Sequence, residues 1–160
     1  MGRPNRVLLD NGVYHVMARG NQKQKTFIQE DDYLKFLEIL KHYKNKYSFK
    51  LYAYCLMPNH IHLILQVKVG KTLSKFMQGL NQTYTNWFNE KYNKVGHLWQ
   101  GRYKCKLIQE DKYMLECLQY VESNPLRTEL CKTLIEYPFT SWKERLGYAK
   151  NKILDDPAWL

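Results

Sequence analysis

The segment Met57-Pro58-Asn59-His60-Ile61-His62-Leu63-Ile64-Leu65 constrains the chain more than any other stretch. Two histidines two residues apart enter an apolar run. In a strand, side chains alternate between faces, so His60, His62 and Ile64 point one way and Ile61, Leu63 and Leu65 the other. One face can bury in a core while the other presents two imidazoles side by side. Such a pair can seat a divalent metal. It can equally be a structural feature of a strand, and the residues alone leave both readings open.

The remaining elements follow from periodicity. Asp10-Asn11-Gly12 signals a turn, and Val13 to Arg19 alternates as a strand. Val13, His15 and Met17 share one face; Tyr14, Val16 and Ala18 share the other. His15 reads as a hydrogen-bonded structural residue or as a neighbour of an active face. Glu30 to about Lys46 is a helix, with Tyr33, Phe36, Leu37, Leu40 and Tyr43 at helical spacing and Glu30, Asp31 and Asp32 at the start, where acids suit the helix dipole. Phe49 to Leu56 and His60 to about Val67 are strands joined by Pro58-Asn59, too short a link for anything but an antiparallel hairpin. Thr72 to Tyr92 is the strongest helix. Tyr103 to Gln109 is the fourth strand. The order βαββαβ predicts an α+β, ferredoxin-like antiparallel sheet with two helices on one face.

The other face is left for the helix from about Asp111 to Ser123. Met114, Leu118 and Val121 form its apolar strip, and Tyr113, Cys117, Tyr120 and Asn124 align beside it. Tyr120 and Asn124 are i,i+4 neighbours that can reach one point in space. A tyrosine hydroxyl is a possible nucleophile and an amide oxygen a possible ligand for a hard metal. On spacing alone, Tyr120 is equally a packed ring and Asn124 a cap before Pro125.

Charge points to the partner. The 160 residues carry a net charge of +10, which favours a polyanionic partner. A generic basic surface or a membrane surface would also suit it. The 13 tyrosines and 4 tryptophans add faces on which unpaired bases can stack. Lys91 to Lys106 holds five basic residues and no acid, with Tyr92, Trp99 and Tyr103 interleaved and Gly96 and Gly101 marking turns of a short hairpin. It reads as a nucleic-acid contact surface or as an edge hairpin guarded by lysines. Arg19 and the loop from Gly20 to Lys25 form a second basic candidate, beside the basic N-terminal stretch with Arg3 and Arg6.

Cys55, Cys105, Cys117 and Cys131 are scattered, which fits neither a zinc knuckle nor a disulfide framework and suits reduced thiols in the cytoplasm. There is no signal-peptide pattern and no apolar run of membrane-spanning length. The expected organisation is one domain over residues 1–142 and a tail over 143–160, which ends in Pro157-Ala158-Trp159-Leu160.

Four segments together resemble a known family. They are Tyr14-His15-Val16-Met17-Ala18-Arg19-Gly20-Asn21, Tyr54-Cys55-Leu56-Met57-Pro58-Asn59-His60-Ile61-His62-Leu63, Leu98-Trp99-Gln100-Gly101-Arg102-Tyr103-Lys104 and Tyr120-Val121-Glu122-Ser123-Asn124-Pro125-Leu126-Arg127. In this order and spacing they resemble the single-tyrosine HUH transposases of small insertion sequences, in particular the REP-associated branch. The resemblance implies that His60 and His62 bind a divalent metal, Mg²⁺ or Mn²⁺. It also implies that Tyr120 is the nucleophile and that Asn124 stands where relatives carry a third metal-binding side chain, usually Gln in the insertion-sequence enzymes. The implied reaction is cleavage and rejoining of hairpin-containing single-stranded DNA through a 5′-phosphotyrosine. Arg19, Asn21, Lys23, Trp99, Arg102, Tyr103, Lys104 and Arg127 are the candidate DNA contacts, and the chain would act as a monomer or a homodimer. Competing readings are a non-catalytic single-stranded nucleic-acid-binding module and a nickase of the replication-initiator or relaxase type.

Overall fold

The computed structural model describes residues 6–149 and 152–157; Arg3 and the closing Ala158-Trp159-Leu160 lie outside them. Four strands, β1 (Val13–Arg19), β2 (Lys50–Met57), β3 (His60–Gln66) and β4 (Lys104–Ile108), form one antiparallel sheet in the order β2-β3-β1-β4. Two long helices, α1 (Glu30–Tyr47) and α2 (Thr72–Tyr92), cover one face. A third, α3 (Asp111–Glu122), packs on the other. Short helices α4 (Asn124–Arg127) and α5 (Trp142–Arg145) follow. The expected ferredoxin-like order is the one observed.

The strand alternation divides the interior in two. Tyr14, Val16, Ile61, Leu63 and Leu65 point toward α1 and α2, where they meet Phe36, Leu40, Phe76, Leu80 and Tyr84. Each such fully buried side chain contributes roughly 1.5–3 kcal/mol. Gly79 lets the helices approach closely: a Cβ there would lie 2.5 Å from the Tyr43 ring. On the opposite face Ala53, Cys55, Met57 and Ile64 meet Met114, Cys117, Leu118 and Val121 of α3. The apolar strip of the late helix therefore sets which of its faces looks back along the sheet toward the histidines.

α3 is also held from its end. Glu122 is buried and accepts hydrogen bonds from Ser141 Oγ at 2.7 Å and Arg145 Nε at 2.8 Å. Arg145 reaches on to the Tyr52 carbonyl, and Ser141 Oγ accepts the Tyr54 amide, so the charged pair bolts α3 and α5 to β2. The stretch from 143 onward takes part in this packing: Glu144 accepts the amides of Ile153 and Leu154, whose side chains join the main core.

The basic aromatic stretch differs from the expected hairpin. Residues 93–103 form a loop whose one ladder contact is an isolated bridge between Gly20 and Trp99, and only β4 is a strand. Gly96 and Gly101 adopt left-handed φ of 89° and 59° and supply the turns. The loop exists to bring Leu98, Trp99 and Tyr103 into the core, which a two-stranded edge ribbon could not do.

One buried carboxylate ties the two long helices together. Asp32, with no exposed surface, accepts the backbone amides of Ile28 and Gln29, Lys91 Nζ at 2.7 Å and Tyr92 Oη at 2.6 Å. Burial raises its pKa, but the bonds from Lys91, Tyr92 and the two amides reverse this and hold it below the ordinary 3.8. The stability it contributes is therefore present above that value and is lost as pH falls through the folded-state pKa. Asp32→Ala should cost about 2–3 kcal/mol at pH 7 in urea unfolding, and the difference from the unsubstituted chain should shrink below about pH 4; an equal loss at pH 7 and pH 3 would contradict this account.

Candidate active site

β3 enters the sheet through the Pro58-Asn59 turn, so His60 is its first residue and His62 its third. Both side chains emerge on the α3 face. The β1–β3 register sets Met17 opposite His62 and His15 opposite Ile64, which makes His15 the diagonal neighbour of His62. His62 is 4% exposed and His60 half-buried. Their ring centroids are 5.1 Å apart at 82°, an open angle that leaves space between two ring edges.

Each ring has one nitrogen engaged. His60 Nδ1 lies 2.7 Å from Asn59 Oδ1, which only accepts, so Nδ1 carries the proton and Nε2 keeps its lone pair. His62 Nδ1 lies 3.0 Å from His15 Nε2. Burial, reinforced by His15, His60, Arg127 and Arg19, pushes the His62 pKa down to about 3. Burial and Arg19 lower His60 in the same direction. Both imidazoles are thus neutral at physiological pH, the form that ligates a metal.

α3 completes the site. The Tyr120 ring centroid stands 6.0 Å from that of His62, and nearly half of the residue is exposed. Asn124, at the start of α4, is 5% exposed and lines the same cleft. This cleft, about 300 Å³, is lined by His60, His62, Tyr120 and Asn124 together with the basic Arg19, Arg102 and Lys104. Gln100, Met17 and Ala18 contribute the rest of the wall.

The donor set fits a hard divalent ion. Two imidazole nitrogens and one amide oxygen make a partial shell that leaves positions for phosphate and water oxygens. Among the described residues no group of three His, Cys, Asp or Glu side chains forms a closed cage. Such a shell would be completed by substrate and solvent.

The other candidates are placed unequally. Arg19, Arg102 and Lys104 face the cleft. Arg127 lies outside it, its guanidinium 3.8 Å from the Tyr120 ring centroid and donating to the Tyr120 carbonyl at 2.6 Å. Asn21 and Lys23 sit in a 3-10 turn after β1, with the Asn21 amide donating to the Leu98 carbonyl. The Trp99 and Tyr103 side chains belong to the core, where Trp99 meets Phe36 and Tyr84 and Tyr103 is covered by Arg6. Both side chains are largely buried. They border a second cavity of about 590 Å³ behind the loop. Sequence reasoning passed over Gln100, which the resembling segment contained, and left the place of His15 open. The alternation put His15 on the correct face, but the diagonal to His62 needed the strand register.

Comparison with known proteins bears on family and fold. The family described as "Transposase IS200 like" matches residues 9–124. A Haemophilus influenzae protein named as a candidate REP-associated tyrosine transposase is 25% identical over 155 residues, which cover 89% of this chain and 86% of that protein. A solved structure of a REP-associated tyrosine transposase bound to a REP hairpin superposes with a TM-score of 0.76 at 17% identity, covering 99% of this chain and 96% of the other. A candidate transposase from Deinococcus radiodurans superposes with a TM-score of 0.51 at 19% identity, over 77% of this chain and 95% of that one. The two structures show that the fold is shared. The match over residues 9–124 shows the lineage: the chain belongs to the IS200-like transposase family.

Proposed function

We propose that this transposase cleaves and rejoins hairpin-containing single-stranded DNA, with Tyr120 as the nucleophile. The observation that carries this reading is one cleft holding His60, His62, Tyr120 and Asn124 within a rim of Arg19, Arg102 and Lys104. A relative of the same fold was solved bound to a REP hairpin, which supports the substrate class.

The chemistry is a transesterification. The Tyr120 hydroxyl gives up its proton to solvent and its oxygen attacks the scissile phosphorus. A bond forms from Tyr120 Oη to phosphorus as the bond to the 3′ oxygen breaks. The product is a 5′-phosphotyrosine and a free 3′-OH. Attack by a second 3′-OH reverses the step, releases Tyr120 and joins strands with no external energy source. A divalent ion, Mg²⁺ or Mn²⁺, held by His60, His62 and Asn124 would polarise the phosphate and stabilise the leaving oxygen. Arg19, Arg102 and Lys104 hold the DNA backbone across the cleft and offset its charge. Asn21, Lys23 and Arg127 extend that contact along the flanks, and Trp99 and Tyr103 shape the loop that presents Arg102.

The reading assigns catalysis to residues 1–142, with 143–160 as a C-terminal tail. The proposal has Tyr120, whose ring centroid lies 6.0 Å from that of His62, acting in a monomer or a homodimer. A cytoplasmic site of action is part of the proposal; among the described residues no helix is long and apolar enough to cross a membrane.

Labelled stem-loop DNA incubated with the protein and Mn²⁺ should give a covalent band on a denaturing gel. Tyr120→Phe should remove the band and lower cleavage by on the order of 10⁴-fold or more while DNA binding persists. A Tyr120→Phe protein that still formed the adduct would exclude this nucleophile. His60→Ala with His62→Ala, or chelation of the metal, should abolish cleavage, and full activity under either condition would exclude the metal assignment.

Arg102→Ala and Lys104→Ala should act on binding. Each should reduce the slope of log affinity against log salt by about 0.7, as expected for one single-strand phosphate contact. An unchanged slope for both would remove these residues from the DNA path.

A further inference from the structure

We infer that His15 is a positioning residue: its imidazole fixes the tautomer and ring plane of His62 so that His62 Nε2 stays free to ligate a metal. The inference rests on the metal-dependent reading above and adds a residue to it.

The geometry is specific. His15 is half-buried on β1, two residues from the partner of His62 in the antiparallel ladder. Side chains on that diagonal share a face, and here they meet: His15 Nε2 stands 3.0 Å from His62 Nδ1 with ring centroids 5.2 Å apart. A nitrogen pair at this distance needs one proton between them. With the proton on His62 Nδ1, His62 Nε2 carries a lone pair; with the proton on His15 Nε2, His62 would have to carry its own proton on Nε2 and could not ligate.

The two cleft histidines are thus oriented by separate devices. Asn59 Oδ1 holds His60, and His15 Nε2 holds His62. Histidines that bind metals nearly always donate their other ring nitrogen in this way, and removing the partner typically costs 10- to 100-fold in metal affinity. His62 is almost fully enclosed, so water cannot easily take the place of His15. His15 also lies edge-on to Tyr120, with centroids 6.1 Å apart, so the rings of His15 and Tyr120 both border His62.

Two measurements on the full chain without DNA test this. Mn²⁺ binding by calorimetry should weaken 10- to 100-fold in His15→Leu and recover most of that loss in His15→Gln, whose amide oxygen can accept from His62 Nδ1. A purely structural role would lower thermal stability in both variants and leave Mn²⁺ affinity unchanged. Nitrogen NMR of the imidazoles, in metal-free protein, should show His62 protonated on Nδ1 in the unsubstituted chain and a mixture of tautomers in His15→Leu. Unchanged Mn²⁺ affinity in a folded His15→Leu protein, or an Nε2-protonated His62 in the unsubstituted chain, would overturn the inference. If the unsubstituted chain bound no Mn²⁺ at all, the metal assignment itself would fall, and the NMR spectra would still decide whether His15 sets the His62 tautomer.

Discussion

The pairing of β1 with β3 at the centre of the sheet is the interaction on which the rest of the molecule depends. Its register, with Met17 opposite His62, places the apolar residues of both strands on one face and the histidines on the other. A slip of one residue would turn every side chain of a strand over, burying imidazoles among Phe36, Leu40 and Tyr84 and exposing Ile61 and Leu63. The hydrophobic cost of that inversion pins the register, and the register in turn sets the contact between His15 and His62. The core under α1 and α2 therefore fixes the geometry of the histidine-bearing face without touching it.

The second face is built around a compromise between packing and access. α3 buries Met114, Cys117, Leu118 and Val121 against β2 and β3, and the Glu122–Arg145–Ser141 network anchors its end. Two of the contacts, Val121 and Glu122, lie one and two residues from Tyr120, whose side chain stays nearly half exposed. Glu122 fixes the end of the helix while the Tyr120 side chain remains open to solvent. A buried ion pair of this kind is a poor source of net stability, but breaking it leaves an unpaired buried charge. It restricts where the helix can sit more than it strengthens the fold.

Much of this was legible in the residues. The limits of the long helix, Thr72–Tyr92, follow from its apolar stripe alone, and the βαββαβ order follows from periods of two and 3.6. Type and spacing offer His60, His62, Tyr120 and Asn124 only beside a structural reading of each, the resemblance singles them out, and the structure brings all four to one cleft. The 93–103 loop was misread as a hairpin because alternating glycines, aromatics and lysines satisfy an edge ribbon as well as a loop that feeds the core. Local composition does not say whether a tryptophan is exposed to a base or buried edge-on to Phe36; only the neighbours brought by α1 and α2 do.

By itself the sequence determined the elements, their faces and the residue types available for chemistry, because backbone periodicity acts within a few residues. Tertiary structure decided the rest. Strand register chose His15 as the partner of His62, the packing of α3 set Tyr120 beside the two histidines, and the core claimed Trp99 and Tyr103. Those choices depend on contacts between residues 40 to 100 positions apart in the chain, which no local pattern encodes.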